Sequence, residues 1–528
     1  MKHMIKAATS RLIESIRLIV VRWTAVLGVT VPGIAICATM LAPNAGAQWL
    51  THSHDEQHTA LSTVESQALD TIHWHVPVDL HPPQGEIFIH YGSPLVTAAN
   101  TVIVPVKTGT NSFRVVAHNG ASGKRLWAQT TGWRAPTADF TPGLGPTISG
   151  NQLFIPDIAG SVLVRQNPDQ AMGTVTQLYF YGVNNFQKDP APYRRNVQID
   201  TPLTTDANGN LYFGFIVLGP TPLNLQSGLA RIAPNGTGTW VSAAAASGDA
   251  NITQVAISCA PALSPDGKTL YVAMDNSSYG YLVALNSSTL ATVRSVLLID
   301  PASGWDSWLY SGSSATPTVG PDGDVYFGVL ENPFPEHNDR GWLLHFNSDL
   351  SQTKIPGSFG WDDTPSIVPA SLVPSYTGKS TYLLMTKYNN YAGIGTGDGH
   401  NRIAILDPNA TENDPIIPSV QVMNEVITIL GVTPDPEFPQ FPGAVREWCI
   451  NTAAVDPFTK SVLANSEDGK LYRWDLPSNS FTQTITLSSG IGEAYTPTLI
   501  GSDGTAYAIN DAIVDAIGTT TGKPASPR

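Results

Sequence analysis

An internal repeat constrains this chain more than any other feature. A small or polar residue, a proline and a short apolar run recur as Ser93-Pro94-Leu95-Val96, Gly145-Pro146-Thr147-Ile148, Thr201-Pro202-Leu203, Ala260-Pro261-Ala262-Leu263, Thr316-Pro317-Thr318-Val319, Thr364-Pro365-Ser366-Ile367, Thr452-Ala453-Ala454-Val455 and Thr496-Pro497-Thr498-Leu499. Successive openings lie 44 to 59 residues apart, except for 88 between the sixth and seventh. Each is followed by a turn, an aromatic-aliphatic strand and a third strand. Several turns are Asx-Gly (Asn208-Gly209, Asp266-Gly267, Asp322-Gly323, Asp503-Gly504), which supply the positive φ of a tight hairpin. A lone sheet of this kind cannot hide both faces, so the units must stack on one another. Three or four antiparallel strands repeated eight times predict an all-β, eight-bladed β-propeller. Loops at 388–400 and 409–446 are expected to absorb the long interval, rather than a ninth blade.

The eighth unit runs out after its third strand, because 517–528 is rich in Gly, Thr and Pro. The extended segment 72–78, ahead of the first unit, is the natural donor of a fourth strand. Closure by this N-terminal strand would remove both free sheet edges. Composition agrees: 13% charged residues, 46 Gly and 41 Pro suit short strands with many turns, not a helical bundle. The expected organisation is a signal peptide at 1–47, an N-terminal segment with the closing strand at 48–91, the propeller at 92–516 and a tail at 517–528.

The signal-peptide reading rests on Lys2, Lys6, Arg11, Arg17 and Arg22, an uncharged run over 23–41, and Ala45-Gly46-Ala47 as a small-x-small cleavage site. Cleavage implies a secreted or periplasmic protein; a membrane enters only if that segment stays attached. Loss of its five basic residues and Glu14 takes the formal charge from −14 to −18. So acidic a body, without a basic cluster, repels phosphate backbones and excludes nucleic acid as a partner. Cys259 and Cys449 remain, three blades apart on opposite sides of the ring, and are expected to be separate buried thiols.

Ala117-His118-Asn119-Gly120-Ala121-Ser122-Gly123-Lys124-Arg125-Leu126-Trp127 resembles the repeat of PQQ-like, quinoprotein-type propellers. There a strand ends in Ala-x-Asp/Asn, a Ser/Thr-Gly-Lys turn follows, and a Trp closes the outer strand; Trp127 would then dock on the adjacent blade. The opening of the mature chain, Trp49-Leu50-Thr51-His52-Ser53-His54-Asp55-Glu56-Gln57-His58-Thr59-Ala60-Leu61-Ser62, is similar to the opening of exported members. Later units depart from the pattern, as in Asn286-Ser287-Ser288-Thr289-Leu290 and Asp475-Leu476-Pro477-Ser478. Quinoprotein dehydrogenases hold PQQ between a Trp and a vicinal disulfide, beside Ca²⁺, and this chain has no adjacent Cys pair. The resemblance therefore implies the fold, and leaves PQQ or Ca²⁺ to be established at a site.

In propellers the channel mouth, where loops enter the innermost strands, is the usual ligand site. Positions two or four before each repeat proline point alike, which singles out Asp200, Cys259, Asp363, Asn451, Cys449, Tyr495 and Glu493. Asp362, Glu447, Trp448, His90, Tyr91, Asp139, Arg194, Arg195 and Arg446 flank them. Asp200, Asp363, Glu447 and Glu493 are expected within reach of one another. Such a mouth could bind Ca²⁺ through oxygen ligands, or supply an acid/base pair; the plainer expectation is a solvated polar lining. Trp305, Trp308 and Tyr310, with Trp133, Phe359 and Trp361, offer flat faces beside polar groups, as sugar binding needs, although blade packing uses Trp heavily. Asp398 and Asn401 lie in a Gly-rich insertion without EF-hand spacing. His52, His54, His58, His73 and His75 make a His-rich start that lacks a carboxylate or Cys at metal-site spacing.

Without a catalytic motif, the reading is an exported binding or interaction module, with a polysaccharide or an envelope protein as partner. The alternative is a quinoprotein-like oxidoreductase or a carbohydrate-active enzyme using the acidic mouth.

Overall fold

The computed structural model describes residues 49–84, 89–138, 140–490, 492 and 494–520; the signal-peptide reading, Asp139 and Glu493 lie outside them. Eight antiparallel sheets follow one another along the chain. Blade 1 has the expected order, Leu95–Val96, Thr101–Gly109, Ser112–Asn119 and Arg125–Thr131, from inside to outside. Shared apolar clusters join blades 1, 2 and 3, then 3, 4 and 5, then 5 and 6, then 6 and 7, and finally 7, 8 and 1. The sheets therefore form a closed ring, the eight-bladed propeller.

Closure occurs as expected. Thr71–Pro77 lies antiparallel to Ile513–Gly518, with Thr71 opposite Gly518 and Pro77 opposite Ile513. Among the described residues the first strand and the last share one blade. Trp127 also docks on its neighbour: its ring lies 4.0 Å from the Arg165 guanidinium carbon, and Nε1 donates to the Pro168 carbonyl at 2.7 Å. Tyrosines of the second strands, Tyr212, Tyr271, Tyr326 and Tyr507, are fully buried, marking one repeated core position.

Two departures stand out. Blade 5 has three regular strands, Thr318–Val319, Val325–Val329 and Trp342–Phe346; its outer side is only bridged, at Leu343–Gly357 and Phe346–Thr353. The expected loop at 409–446 is in large part a hairpin, because Arg402–Asn413 and Gln421–Leu430 are strands. Pro408, Asn409 and Pro415 obscure its alternation, and a register shift between Asp407 and Thr411 absorbs them. The extension covers blade 5: Met423 N donates to the Pro356 carbonyl at 2.8 Å, and Val420 and Val422 join the cluster of blades 3 to 5.

The two faces of the ring differ. On the lower face the first and second strands of each blade are joined mostly by short turns, with Gly209, Gly267, Gly323 and Gly504 at φ between 69° and 89°. The upper face carries the long connections, including three short helices, Val183–Lys188, Pro190–Asn196 and Ala243–Ser247. Among the described residues no helix is long and apolar enough to cross a membrane.

Candidate functional site

The central channel is closed from within by residues 49–67, which visit the blades in order. Trp49 exchanges backbone bonds with Val96 of blade 1, and the Leu50 carbonyl accepts from Ile148 of blade 2. Thr51 Oγ1 donates to Leu203 O at 3.1 Å. Carbonyls of Glu56, Gln57, Thr59 and Ala60 then accept from Leu263, Val319, Ile367 and Val455, at 2.7 to 2.9 Å. Gln67 N finally donates to Gly504 of blade 8. One segment thus satisfies a backbone group on the innermost run of seven blades and in the first turn of the eighth, where unpaired groups would otherwise be costly. It turns through Ser53, His54, His58 and Ala60, four non-glycine residues at positive φ.

Above this strap lies a recess lined by Pro146, Pro202, Pro497, Ser258, Ser314 and Tyr495, with His52 and His90 also on its wall. His90 stacks on Phe140, with centroids 5.1 Å apart, and meets Tyr495 edge-on. Its Nε2 lies 3.6 Å from Asp362 Oδ2, too long for a hydrogen bond. Asp362 Oδ1 is held by Ser314 N and Oγ, both at 2.6 Å. Lys387, only 2% exposed, reaches the Phe359 and Tyr495 rings. The sequence reading passed over Lys387, because nothing in a run of strand residues marks a buried amine.

Asp200, Asp363 and Glu447, the described carboxylates expected at the mouth, each have partners of their own. Asp200 is buried near Asp275 and Cys259; desolvation lifts its pKa well above the carboxylate range, and Asp275 adds to the rise. Asp363 binds Thr386; burial pushes it up to about 7 against the opposing pull of Lys387. Glu447 belongs to a third set, with Cys449 and Glu467, whose ligand atoms lie within 4.8 Å of one another. The period of two gives the direction of a side chain but not the blade it will face. Burial pushes Glu467 up to about 7, and Arg446 opposes the shift. Arg446 also pairs with Glu437 at 2.6 Å and Asp435 at 3.3 Å. Glu467, in a Ser-Glu-Asp-Gly turn, reads in sequence as a hairpin tip and was missed.

Other candidates serve packing. Trp448 is buried against Tyr472 and Phe481, and Arg194 is exposed on the helical insertion, over Phe186. Cys259 and Cys449 are separate, free and buried, as expected; burial pushes the Cys259 thiol up to about 12, which rules out a ready nucleophile.

The upper loops of blades 4 and 5 carry exposed aromatic side chains. Trp305, Trp308 and Tyr310 are 59%, 38% and 45% exposed. Trp308, Tyr310 and Trp361 rim a shallow recess with Asp275 in its wall, and Phe334 is exposed on the adjoining loop. Asp300 anchors the platform from beneath. Its Oδ1 accepts from Ala302 N and Ser303 N, and its Oδ2 from Asn332 N and Trp342 Nε1, all at 2.8 to 3.0 Å. Asn332 Nδ2 donates to Asp306 O at 2.7 Å, tying the two loops together. The backbone that carries the rings is thus tied down at residues 300–306 and 332.

Among the described residues, the central recess and the one carboxylate-rich cluster fit neither cofactor that the resemblance raises. The recess has a volume of about 30 Å³, room for a water-sized guest. A tricyclic quinone needs a pocket nearer the ~300 Å³ lower bound of ligand sites. Among the described residues the one three-member set of His, Cys, Asp or Glu ligands contains a thiol, not the six or more oxygens that Ca²⁺ takes. No family model matches the chain, and no curated protein matches it. Solved structures do. A europium-containing methanol dehydrogenase superposes with a TM-score of 0.54 at 10% identity, over 88% of this chain and 89% of its own. The quinohemoprotein alcohol dehydrogenase from Comamonas testosteroni gives 0.51 at 10% identity, over 91% of this chain and 82% of its own. At such identity the likeness is one of fold, the eight-bladed β-propeller that these dehydrogenases share.

Proposed function

We propose that this chain is an exported binding module that holds a polysaccharide on its upper face. The observation that carries this reading is the solvent-facing set Trp305, Trp308 and Tyr310 on loops fixed by Asp300. Aromatic rings bury the apolar faces of sugars, while Asp and Asn side chains nearby bond the hydroxyls. A body of net charge −18 after export favours a neutral glycan over an acidic one. A glycan array and affinity electrophoresis test the reading: retardation by a neutral polysaccharide, lost in Trp305→Ala and Trp308→Ala, is expected. Equal mobility of all three chains in every glycan would remove it.

One observation favours a second reading, a carbohydrate-active enzyme. Glu467, near 7 and beside Glu447, has the proton affinity of an acid/base group. A lyase working there would release unsaturated products from uronic polymers, visible as ultraviolet absorbance that Glu467→Gln abolishes.

A further inference from the structure

The strap carries two imidazoles that its backbone role does not explain. His52 is 9% exposed and His58 fully buried, and their ring centroids lie 5.8 Å apart at 87°. In both rings Nε2 is buried without a hydrogen-bond partner. Buried polar atoms are nearly always satisfied, and exceptions point to an ion or water in the native molecule. The other nitrogen of His58 is engaged: Nδ1 lies 2.8 Å from the Pro317 carbonyl, which fixes the proton there and leaves Nε2 with its lone pair. Anchoring one ring nitrogen on a carbonyl-type oxygen is what metal-binding histidines do. Burial also disfavours the charged form of both rings, the form that cannot coordinate.

We propose that the axis of this propeller holds a divalent transition-metal ion of the Zn²⁺ or Cu²⁺ class, bound through Nε2 of His52 and Nε2 of His58. At about 2.0–2.1 Å per Zn–N bond, two imidazoles on one ion have ring centres on the order of 5–6 Å apart, as these do. His52 borders the recess, which supplies water for the remaining positions. Imidazole without carboxylate favours Zn²⁺ or Cu²⁺ over Ca²⁺ or Mg²⁺. The ion would clamp the strap, since its two ligands lie between the residues that bond blade 3 and blade 6. This site is independent of the aromatic platform and of what the platform binds.

The test uses the full exported chain, stripped with a chelator and titrated with Zn²⁺ alone or Cu²⁺ alone. One equivalent is expected by elemental analysis after gel filtration, with a Tm that rises with Zn²⁺ concentration. The Cu²⁺ form is expected to show coupling to two imidazole nitrogens by electron paramagnetic resonance. His52→Gln and His58→Gln should each weaken Zn²⁺ uptake about a hundredfold, while His54→Gln and His75→Gln leave it unchanged. His58→Gln also loses the bond to Pro317, so His52→Gln and the spectrum of the unaltered chain decide the matter if it fails to fold. Absence of stoichiometric uptake, a spectrum without imidazole coupling, or uptake that survives His52→Gln would each overturn the site.

Discussion

The lower and upper faces of the ring were built from the same repeat and have diverged. Below, four of the blades turn on an Asx-Gly pair, and a strap runs along the inner edge and bonds six of the eight units at an equivalent place, two residues beyond the repeat proline or its Ala453 stand-in. Above, no two connections are alike: a helical insertion after blade 2, an aromatic platform between blades 4 and 5, and the long loops 389–401 and 431–453 on either side of the outer hairpin of blade 6. The regular face carries stability and the irregular face can vary, because upper-loop side chains are not needed to close the ring. A change below should be read in unfolding, and a change above in binding.

The largest expected effect is in the scaffold. Trp474 is fully buried between blades 6 and 7, and Nε1 donates to Asn479 Oδ1 at 3.0 Å. Trp474→Ala should cost about 3–5 kcal/mol in chemical denaturation. Two turns of the lower face give the next contrast. A Cβ on Gly504 would meet the Glu65 carbonyl at 2.4 Å, whereas one on Gly267 would meet nothing within 4 Å, though both have positive φ. Gly504→Ala should therefore cost about 2–4 kcal/mol, strain and overpacking together, and Gly267→Ala about 1 kcal/mol. Equal losses would mean that the strap does not press on the ring at blade 8.

A third contrast uses pH. Asp515 sits in the closing blade, where burial pushes it up to about 7. A carboxyl raised in the folded state binds a proton that the unfolded chain has already released. Its contribution is complete below the unfolded value near 4 and is lost as pH climbs to about 7. Asp515→Asn should thus raise Tm at pH 8 and leave it unchanged at pH 4. His52, held down at about 3, works in the opposite sense, losing stability as pH falls below its ordinary value near 6.5. The smallest effect on folding belongs to the upper face: Trp305→Ala should change stability by less than about 0.5 kcal/mol, while weakening glycan binding roughly tenfold.

Much of the ring is written in local patterns. The repeat prolines and Asx-Gly turns locate the blades because strand spacing and positive φ are short-range demands, and the closing strand follows from a unit that ends early. The strap was invisible for the opposite reason. Its bonds run from backbone carbonyls of Glu56, Gln57, Thr59 and Ala60 to distant backbone amides, which no side-chain periodicity records. The candidate site shows the same division. Trp305, Trp308 and Tyr310 could be picked out by type and loop position, but that Asp200 would turn toward Asp275, and Glu447 toward Glu467, depends on inter-blade geometry.

The strap also orders events in time. Residues 49–67 are made long before the last blade, yet their partners extend to Gly504. A growing chain cannot complete that set of bonds until almost all of it has been delivered, so partial products hold unpaired edges and stay open to proteases and chaperones. Locking comes late and all at once, when the last blade meets a segment that has waited for it since the start of synthesis.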